Sequence, residues 1–252
     1  MDKDKLRQII VVLATVFTLV VNGLANALPF NGLTTGDVAD RFDVYITPAA
    51  YAFSIWGLIY TGVIAFTVYQ ALPSQRDNER LQRVGYLFVL SCLANAAWLF
   101  SWHYELFALT LIAMVALLLL LIAIYTRLRR DRQRLEWPEA LVVDVPFSLY
   151  LGWITVATIV NISSVIDFWG WGGLGIVPEI WTVIMLTVAT GVSSTVAITR
   201  GDAAYVLVIV WAFVAIAIRH ADTQIVSLSA WILASVNGVM AVVGPVLKRR
   251  KM

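Results

Sequence analysis

Long runs of apolar residues constrain this chain more than any other feature of its sequence. Residues 106–125, for example, are twenty consecutive positions without a charged side chain. About 20 predominantly apolar residues span the hydrocarbon core of a bilayer, where backbone polar groups must be satisfied within the segment itself. This run is apolar on every face, whereas the strands of a transmembrane barrel alternate polar and apolar residues. The sequence therefore predicts membrane-spanning helices.

The rest of the chain has the same character. It is 60% hydrophobic and 13% charged, with a mean hydropathy of +0.83, which is far from the composition of a soluble domain. Charge clusters and Gly/Pro-rich stretches separate eight apolar segments: residues 9–28, 47–72, 84–102, 106–125, 138–162, 178–198, 203–218 and 225–247. We predict an all-α polytopic membrane bundle of about eight transmembrane helices, of which the seventh is the shortest.

The basic residues predict the orientation of these spans. With the N-terminus inside, only Arg41 and Arg219 of the 18 lysines and arginines lie outside. Because Lys and Arg near span ends are retained in the cytoplasm, we expect a multi-pass protein with both termini cytoplasmic, in a bacterial inner membrane. The basic start and the triplet Ala25-Asn26-Ala27 also fit a cleavable signal peptide, which would leave seven spans, but we expect the first helix to be retained.

Several kinds of chemistry are disfavoured by the residues that are rare. Cys92 is the only cysteine, and the chain has two histidines, so the sequence spells no zinc cluster and we predict no metal site. No lysine lies between Lys5 and Lys248, which excludes a retinal Schiff base within the spans. The short basic runs between spans indicate topology and not a nucleic-acid partner. We predict no catalytic residues, because the sequence offers no nucleophile, metal cluster or base pair for hydrolytic catalysis. An enzyme is therefore the less favoured interpretation.

Polar and aromatic residues at membrane depth are the candidates for function. Asn95 and Asn161 lie among apolar neighbours, and each could either hydrogen-bond a neighbouring helix or line a pocket. Trp56, Trp98 and Trp153 lie inside spans, where an indole suits either core packing or a planar apolar ligand. Two further features have simpler interpretations: Asp144 is expected to reach toward the arginines of residues 127–134, and Trp169 and Trp171 are expected at the headgroup level.

Three motifs occur in order along the first five spans. The first is Tyr45-Ile46-Thr47-Pro48 followed by Trp56-Gly57-Leu58-Ile59-Tyr60, the second is Ala94-Asn95-Ala96-Ala97-Trp98, and the third is Leu149-Tyr150-Leu151-Gly152-Trp153 with Asn161 two turns later. Together they resemble the translocator protein family, TspO, also called tryptophan-rich sensory proteins. The chain departs from the family pattern at Tyr45, Thr47, Ala50 and Leu149, where the family carries Trp, Pro, Trp and Pro.

The resemblance implies a TspO-like five-helix core in residues 1–166, with three additional transmembrane helices in residues 167–252. It further implies an aromatic pocket for a planar apolar ligand such as a tetrapyrrole, meaning a porphyrin or haem, or a sterol-like lipid; no cofactor is obligatory. Carried over motif by motif, the expected ligand-binding residues are Tyr45, Pro48, Trp56, Tyr60, Asn95, Trp98, Tyr150, Trp153 and Asn161.

Three functions remain open at this stage. The resemblance favours a binding or sensing protein, whose partners would be the lipid bilayer and a small apolar ligand. The number of spans and the helix breakers Pro48, Pro146 and Gly191 would also suit a transporter of a small lipophilic molecule or organic ion. The resemblance also admits light-dependent porphyrin degradation. The last three spans could form a lid, the surface of a homodimer or a second functional unit.

Overall fold

The computed structural model describes residues 2–28, 30–42, 44–130 and 137–249, and within these ranges the chain forms helices and no β-strand. The helices are α1 Lys3–Ala27, α2 Thr35–Ala39, α3 Ile55–Ala71, α4 Glu79–His103, α5 Phe107–Leu128, α6 Trp137–Glu139, α7 Val145–Phe168, α8 Pro178–Arg200, α9 Ala203–Arg219 and α10 Gln224–Arg249. A π-helical segment, Ala140–Asp144, joins α6 to α7.

The helices confirm the prediction of an all-α polytopic membrane protein. Among the described residues, seven helical stretches are long and apolar enough to cross a bilayer, and α9, at 17 residues, is a shorter eighth candidate. This agrees with the expectation that the seventh apolar segment is the shortest. Four of the basic residues used to predict orientation, Arg132, Arg134, Arg250 and Lys251, lie outside the described residues.

Local sequence signals explain where several helices begin and end. The Asn78 side chain accepts hydrogen bonds from the backbone of Arg80 and Leu81 and so caps the start of α4. Pro178 occupies the first turn of α8, where its missing N–H costs nothing. Gly201 ends the same helix in the left-handed region, at φ +63°, which is the usual role of a glycine after a helix.

Packing divides the chain into two compact units. The first unit contains Met1–Val38 and Ile55–Leu151, and the second contains Ala39–Ser54 and Gly152–Met252. One boundary therefore falls inside α7, between Leu151 and Gly152. These units are defined by packing, and the division at residue 166 that the family resemblance implies stays a prediction.

In the first unit, α1 packs against α3 and α4, and α4 packs against α5. Its interior contains three phenylalanines, Phe66, Phe88 and Phe147, whose ring centroids are 4.9 to 5.9 Å apart. Buried polar side chains also link its helices, because the hydroxyls of Thr15 on α1 and Thr67 on α3 are hydrogen-bonded at 2.7 Å. The first unit thus combines an aromatic core with polar links between helices.

An ion cluster lies at one end of the first unit. The Arg80 guanidinium donates to the Glu139 carboxylate, to Asp144 at 3.0 Å and to the backbone carbonyl of Leu128 at 2.9 Å. Asp144 is 3% exposed, so its charge needs such a partner. The sequence interpretation directed Asp144 toward residues 127–134 and did not name Arg80, whose helix approaches from elsewhere in the chain.

In the second unit, α8, α9 and α10 pack against one another. Gly244 allows α10 to lie close to α8, because a Cβ at this position would be 2.7 Å from the Ala197 carbonyl oxygen. The segment before α3, which ends in a 3₁₀ helix at Ala50–Ser54, contacts α9: the Ala49 N–H donates to the Ala215 carbonyl at 3.1 Å, and the Trp211 indole donates to the Ala52 carbonyl at 3.0 Å.

Candidate functional site

The nine predicted ligand-binding residues fall into two groups. Trp56, Tyr60, Asn95, Trp98 and Tyr150 belong to the first unit. The second unit contains the others, which are Tyr45, Pro48, Trp153 and Asn161.

Three of the predicted aromatic residues form one cluster in the first unit. Trp56 and Tyr60 are one helical turn apart on α3, and their rings stack with centroids 5.3 Å apart. Tyr150, on α7, meets the Trp56 ring edge to face at 5.7 Å. Tyr150 is 5% exposed, while Trp56 and Tyr60 are partly exposed. The cluster therefore joins two helices and leaves part of its aromatic surface open.

Asn95 lies beside this cluster and is 1% exposed. Its side-chain oxygen accepts a hydrogen bond from the Asn22 amide at 2.8 Å. This bond joins α1 to α4, as an amide that stabilises a helix bundle does. Sequence reasoning missed Asn22, although this residue carries the same signal as Asn95, an amide among apolar neighbours.

Trp98 is the predicted residue with a spare hydrogen-bond donor. Its ring stacks on Trp102 at 5.6 Å, and the Trp102 indole donates to the Thr35 carbonyl at 3.1 Å. The Trp98 indole nitrogen is buried and has no hydrogen-bond partner among the residues that the structure describes. An unsatisfied buried donor costs about 1–3 kcal/mol, so a ligand that accepted this bond would gain affinity from it.

In the second unit, Tyr45 and Pro48 both contact residues at the end of α9. The Tyr45 ring meets His220 edge to face at 5.4 Å, and the Pro48 carbonyl accepts a bond from Arg219 at 3.4 Å. Trp153, 3% exposed, instead packs against Phe53 with centroids 5.7 Å apart. Asn161, the fourth residue, is buried within α7 at 2% exposure.

A cavity of about 390 Å³ lies in the second unit. Its walls come from residues 44–46, the last turns of α7, the loop after α7 and the first turns of α8. Tyr45, Trp171 and Trp181 supply aromatic surface, Ile162, Ile166 and Met185 supply aliphatic surface, and Asp167 is the acidic lining residue. Tyr45 is the one predicted ligand-binding residue among those that line this cavity.

The loop between α7 and α8 gives the cavity much of its shape. Gly170, Gly173 and Gly175 all have positive φ, between +62° and +78°, which lets the chain fold back on itself. The Trp181 indole then donates to the Gly173 carbonyl at 2.8 Å, and its ring contacts Trp171 at 5.2 Å. Sequence reasoning assigned Trp171 only to the membrane interface; the alternation of glycine and tryptophan was the available signal for a structured loop.

The titratable groups in the described parts of the chain form no cluster of three or more that could hold a metal ion. Cys92 is a free, buried thiol. Outside the spans, the Thr34 hydroxyl and N–H donate to the Asp37 carboxylate at 2.7 and 2.8 Å, and these bonds hold the pKa of Asp37 below its usual value.

A sequence model of the family described as TSPO-like protein matches residues 8–243. The chain belongs to the TSPO-like family. This confirms the resemblance inferred from the three motifs and makes the chain a membrane protein of the TspO type. The match also includes α8, α9 and most of α10, which the motifs did not reach. No curated protein and no solved structure shows significant similarity to the chain.

Proposed function

We propose that this TspO-type protein binds a planar apolar ligand within the membrane and acts as a binding or sensing protein. The observation that carries the proposal is the cavity of the second unit, where Tyr45, Trp171 and Trp181 supply aromatic surface. Small-molecule pockets are mostly apolar hollows of about 300 to 1,000 Å³ with a few polar groups, and a volume of about 390 Å³ falls within that range.

The lining suits a tetrapyrrole or a sterol-like lipid by its flat aromatic faces and branched aliphatic side chains. Asp167 is exposed, so its carboxylate would repel an anionic substituent placed nearby. A porphyrin would therefore enter with its propionates directed away from Asp167. In the first unit, the indole N–H of Trp98 and the partly exposed rings of Trp56 and Tyr60 are the proposed additional contacts.

The test is a titration of the purified full chain with protoporphyrin, followed through the visible absorption of the porphyrin. Trp171→Ala removes a wall of the cavity, and Ile162→Trp fills the cavity. Each is expected to weaken binding at least tenfold. The matched controls are Trp169→Ala in the same loop and Ile180→Trp on α8, since neither side chain lines the cavity.

Two outcomes would overturn the proposal. The first is the absence of saturable binding both by protoporphyrin and by a radiolabelled sterol. The second is equal binding by the Trp171 and Trp169 variants, which would mean that the ligand occupies another place. Tyr60→Ala and Trp98→Phe then test whether that place is the aromatic cluster of the first unit.

Transport of a small lipophilic molecule or organic ion is a second candidate. It is favoured by the π-helical segment Ala140–Asp144 ahead of Pro146, because such irregular turns are frequent at functional sites in helices. Flux of a radiolabelled ligand into liposomes separates the two functions. A binding or sensing protein retains the ligand without moving it, whereas a transporter speeds the appearance of the label in the liposome interior.

For the topology, we propose cytoplasmic termini and a bacterial inner membrane. The proposal of cytoplasmic termini rests on the distribution of basic residues. Cys92 is buried and is the only cysteine, so Cys92→Ser gives a clean background for accessibility labelling. A cysteine introduced at Lys3 should be protected from a membrane-impermeant reagent in intact cells, whereas one introduced at Thr223 should be labelled.

A further inference from the structure

A groove of about 340 Å³ lies in the first unit beside the N-terminal turns of α1. Its long wall consists of Ile9, Val12 and Leu13, and the residues after α3 close the other side. Lys5 and Arg76 lie at one end of this lining. The groove thus joins an apolar channel to a pair of cations.

Two glutamines join α1 to the end of α3 beside the groove. The Gln8 amide donates to the backbone carbonyls of Gln70 at 2.7 Å and Leu72 at 3.0 Å. The Gln70 amide donates in return to the Gln8 carbonyl at 3.3 Å. Both glutamines are buried, so these bonds are protected from water. The walls of the groove are therefore fixed by interhelical hydrogen bonds and do not depend on an occupant.

The apolar part of the groove faces outward. Leu13 is 61% exposed, and Ile9 is also exposed. On a helix that spans a membrane, exposed aliphatic side chains of this kind contact acyl chains. The nine residues from Lys5 to Leu13 extend about 12 Å along the helix axis, which leaves an acyl chain room to follow the groove away from the cations.

The charged end is suited to an anion. No acidic side chain lines the groove in the part of the chain that is described. Asp2 contacts this end of the groove from outside the lining: its carboxylate lies 4.0 Å from the Arg76 guanidinium, and its side chain is about half exposed, at 53%. Arg7 donates to the Arg76 carbonyl at 3.0 Å, and its own charge is paired with Asp4 at 3.4 Å, so the cations left to an anion are Lys5 and Arg76. The Nε of Arg76 is buried and has no hydrogen-bond partner among the described residues.

We propose that this groove binds one anionic phospholipid. The acyl chain lies along Ile9, Val12 and Leu13, and the phosphate lies between Lys5 and Arg76, where the spare Arg76 donor is satisfied. Basic pockets between transmembrane helices bind anionic headgroups in this way, and guanidinium groups hold phosphate through charge-assisted hydrogen bonds. The site is separate from the cavity of the proposed function and does not depend on it.

The test compares retention of phosphatidylglycerol and phosphatidylcholine with identical acyl chains on the delipidated full chain, measured by native mass spectrometry. We expect selective retention of one phosphatidylglycerol. Each basic residue near an anionic surface contributes about fivefold in affinity, so Lys5→Gln with Arg76→Gln should reduce the preference by about 25-fold. The matched control is Lys3→Gln with Arg83→Gln, which removes the same charge from side chains outside the groove.

A second pair of variants tests the channel. Val12→Trp fills the groove and should abolish the selective retention, whereas Val16→Trp, on the same helix but outside the lining, should preserve it. Equal retention of the two lipids by the unaltered protein would overturn the proposal. So would an equal loss in the Lys5/Arg76 and Lys3/Arg83 variants, since that result would assign the preference to surface charge in general.

Discussion

The two units differ in the contacts that join most of their helices, although the first unit also has a close approach at Gly62, where a Cβ would be 2.9 Å from the Pro146 side chain. In the first unit, buried polar side chains link neighbouring helices, as Thr15 does with Thr67 and Asn22 with Asn95. In the second unit, Gly244 brings α10 against the backbone of α8, although the Asn237 amide also donates to Thr190 at 3.1 Å. Hydrogen bonds are directional and fix the register of helices, whereas small residues let helices touch.

The cavity of the second unit is formed neither by interhelical hydrogen bonds nor by close contact at a small residue. It lies where the last turns of α7 and the first turns of α8 meet a loop, away from the close contact at Gly244. A loop rich in glycine and tryptophan can enclose a hollow because its backbone turns sharply and its side chains are large and rigid. The cavity is therefore shaped by this loop, whereas the buried amides of Asn22 and Asn95 lie at a contact between helices.

The largest effect is expected from Arg80→Ala in the first unit. This change removes the guanidinium that binds Glu139, Asp144 and the Leu128 carbonyl. Removing one partner of a buried ion pair leaves an uncompensated charge and typically costs about 3–5 kcal/mol. The free energy of unfolding, measured by denaturant titration in detergent, should fall by that amount.

Arg83→Ala is the matched control for this change. Arg83 also pairs with an acid, Glu79, but the Glu79 side chain is 81% exposed. Exposed pairs one turn apart on a helix contribute only about 0.3–0.5 kcal/mol. Similar losses of stability in the two variants would contradict the claim that buried polar links determine the stability of the first unit.

The second largest effect is expected on the stability of the second unit, at the close contact between α8 and α10. In Gly244→Ala, the new methyl group would meet the Ala197 backbone, which cannot move as a side chain can. Overpacking of this kind costs roughly 1–3 kcal/mol. Gly238→Ala on the same helix meets nothing within 4 Å and should be neutral or slightly stabilising. Equal thermal stability of the two variants would show that α8 and α10 do not need this contact.

The third effect is the coupling between Asn22 and Asn95. A double-mutant cycle with Asn22→Leu and Asn95→Leu should give an interaction free energy of about 0.6 kcal/mol, the average for such bonds in membrane proteins. Unfolding in a denaturing detergent measures it. A coupling of zero, together with weaker ligand binding by the Asn95 variant, would favour the pocket interpretation of Asn95 over the interhelical one.

Much of the fold could be predicted from the sequence because a bilayer admits few solutions. Any apolar run of about 20 residues must satisfy its own backbone, so helix number and type follow from hydropathy alone. Residues 203–218 were the shortest of the predicted spans, and they form α9, which has 17 residues. Hydropathy does not predict the partner of a buried polar group, such as Arg80 for Asp144. Packing between segments that are distant in the sequence determines which polar groups meet.

The candidate site was less predictable for the same reason. The spacing of Trp56 and Tyr60 places their rings on one face of α3, and the structure stacks them. The cavity, however, depends on Trp171 and Trp181, which meet only because glycines reverse the intervening loop. Positive φ angles carry no hydropathy signal, so a tryptophan in such a loop looks like an ordinary interfacial residue in the sequence.

The smallest effect tests a polar link of the first unit that lies in water. Asp37 accepts bonds from the hydroxyl and N–H of Thr34, so the pKa of its carboxyl is lowered, chiefly by the hydroxyl. A carboxyl with a lowered pKa in the folded state stabilises the fold above its unfolded pKa, near 4, and this contribution is lost as the pH falls through the folded pKa. Thr34→Val should therefore raise the pKa of Asp37 toward the usual value, whereas Thr34→Ser should preserve it. Carbon-13 NMR titration of labelled aspartates measures this difference, and identical titration of the two variants would mean that the hydroxyl bond is not formed.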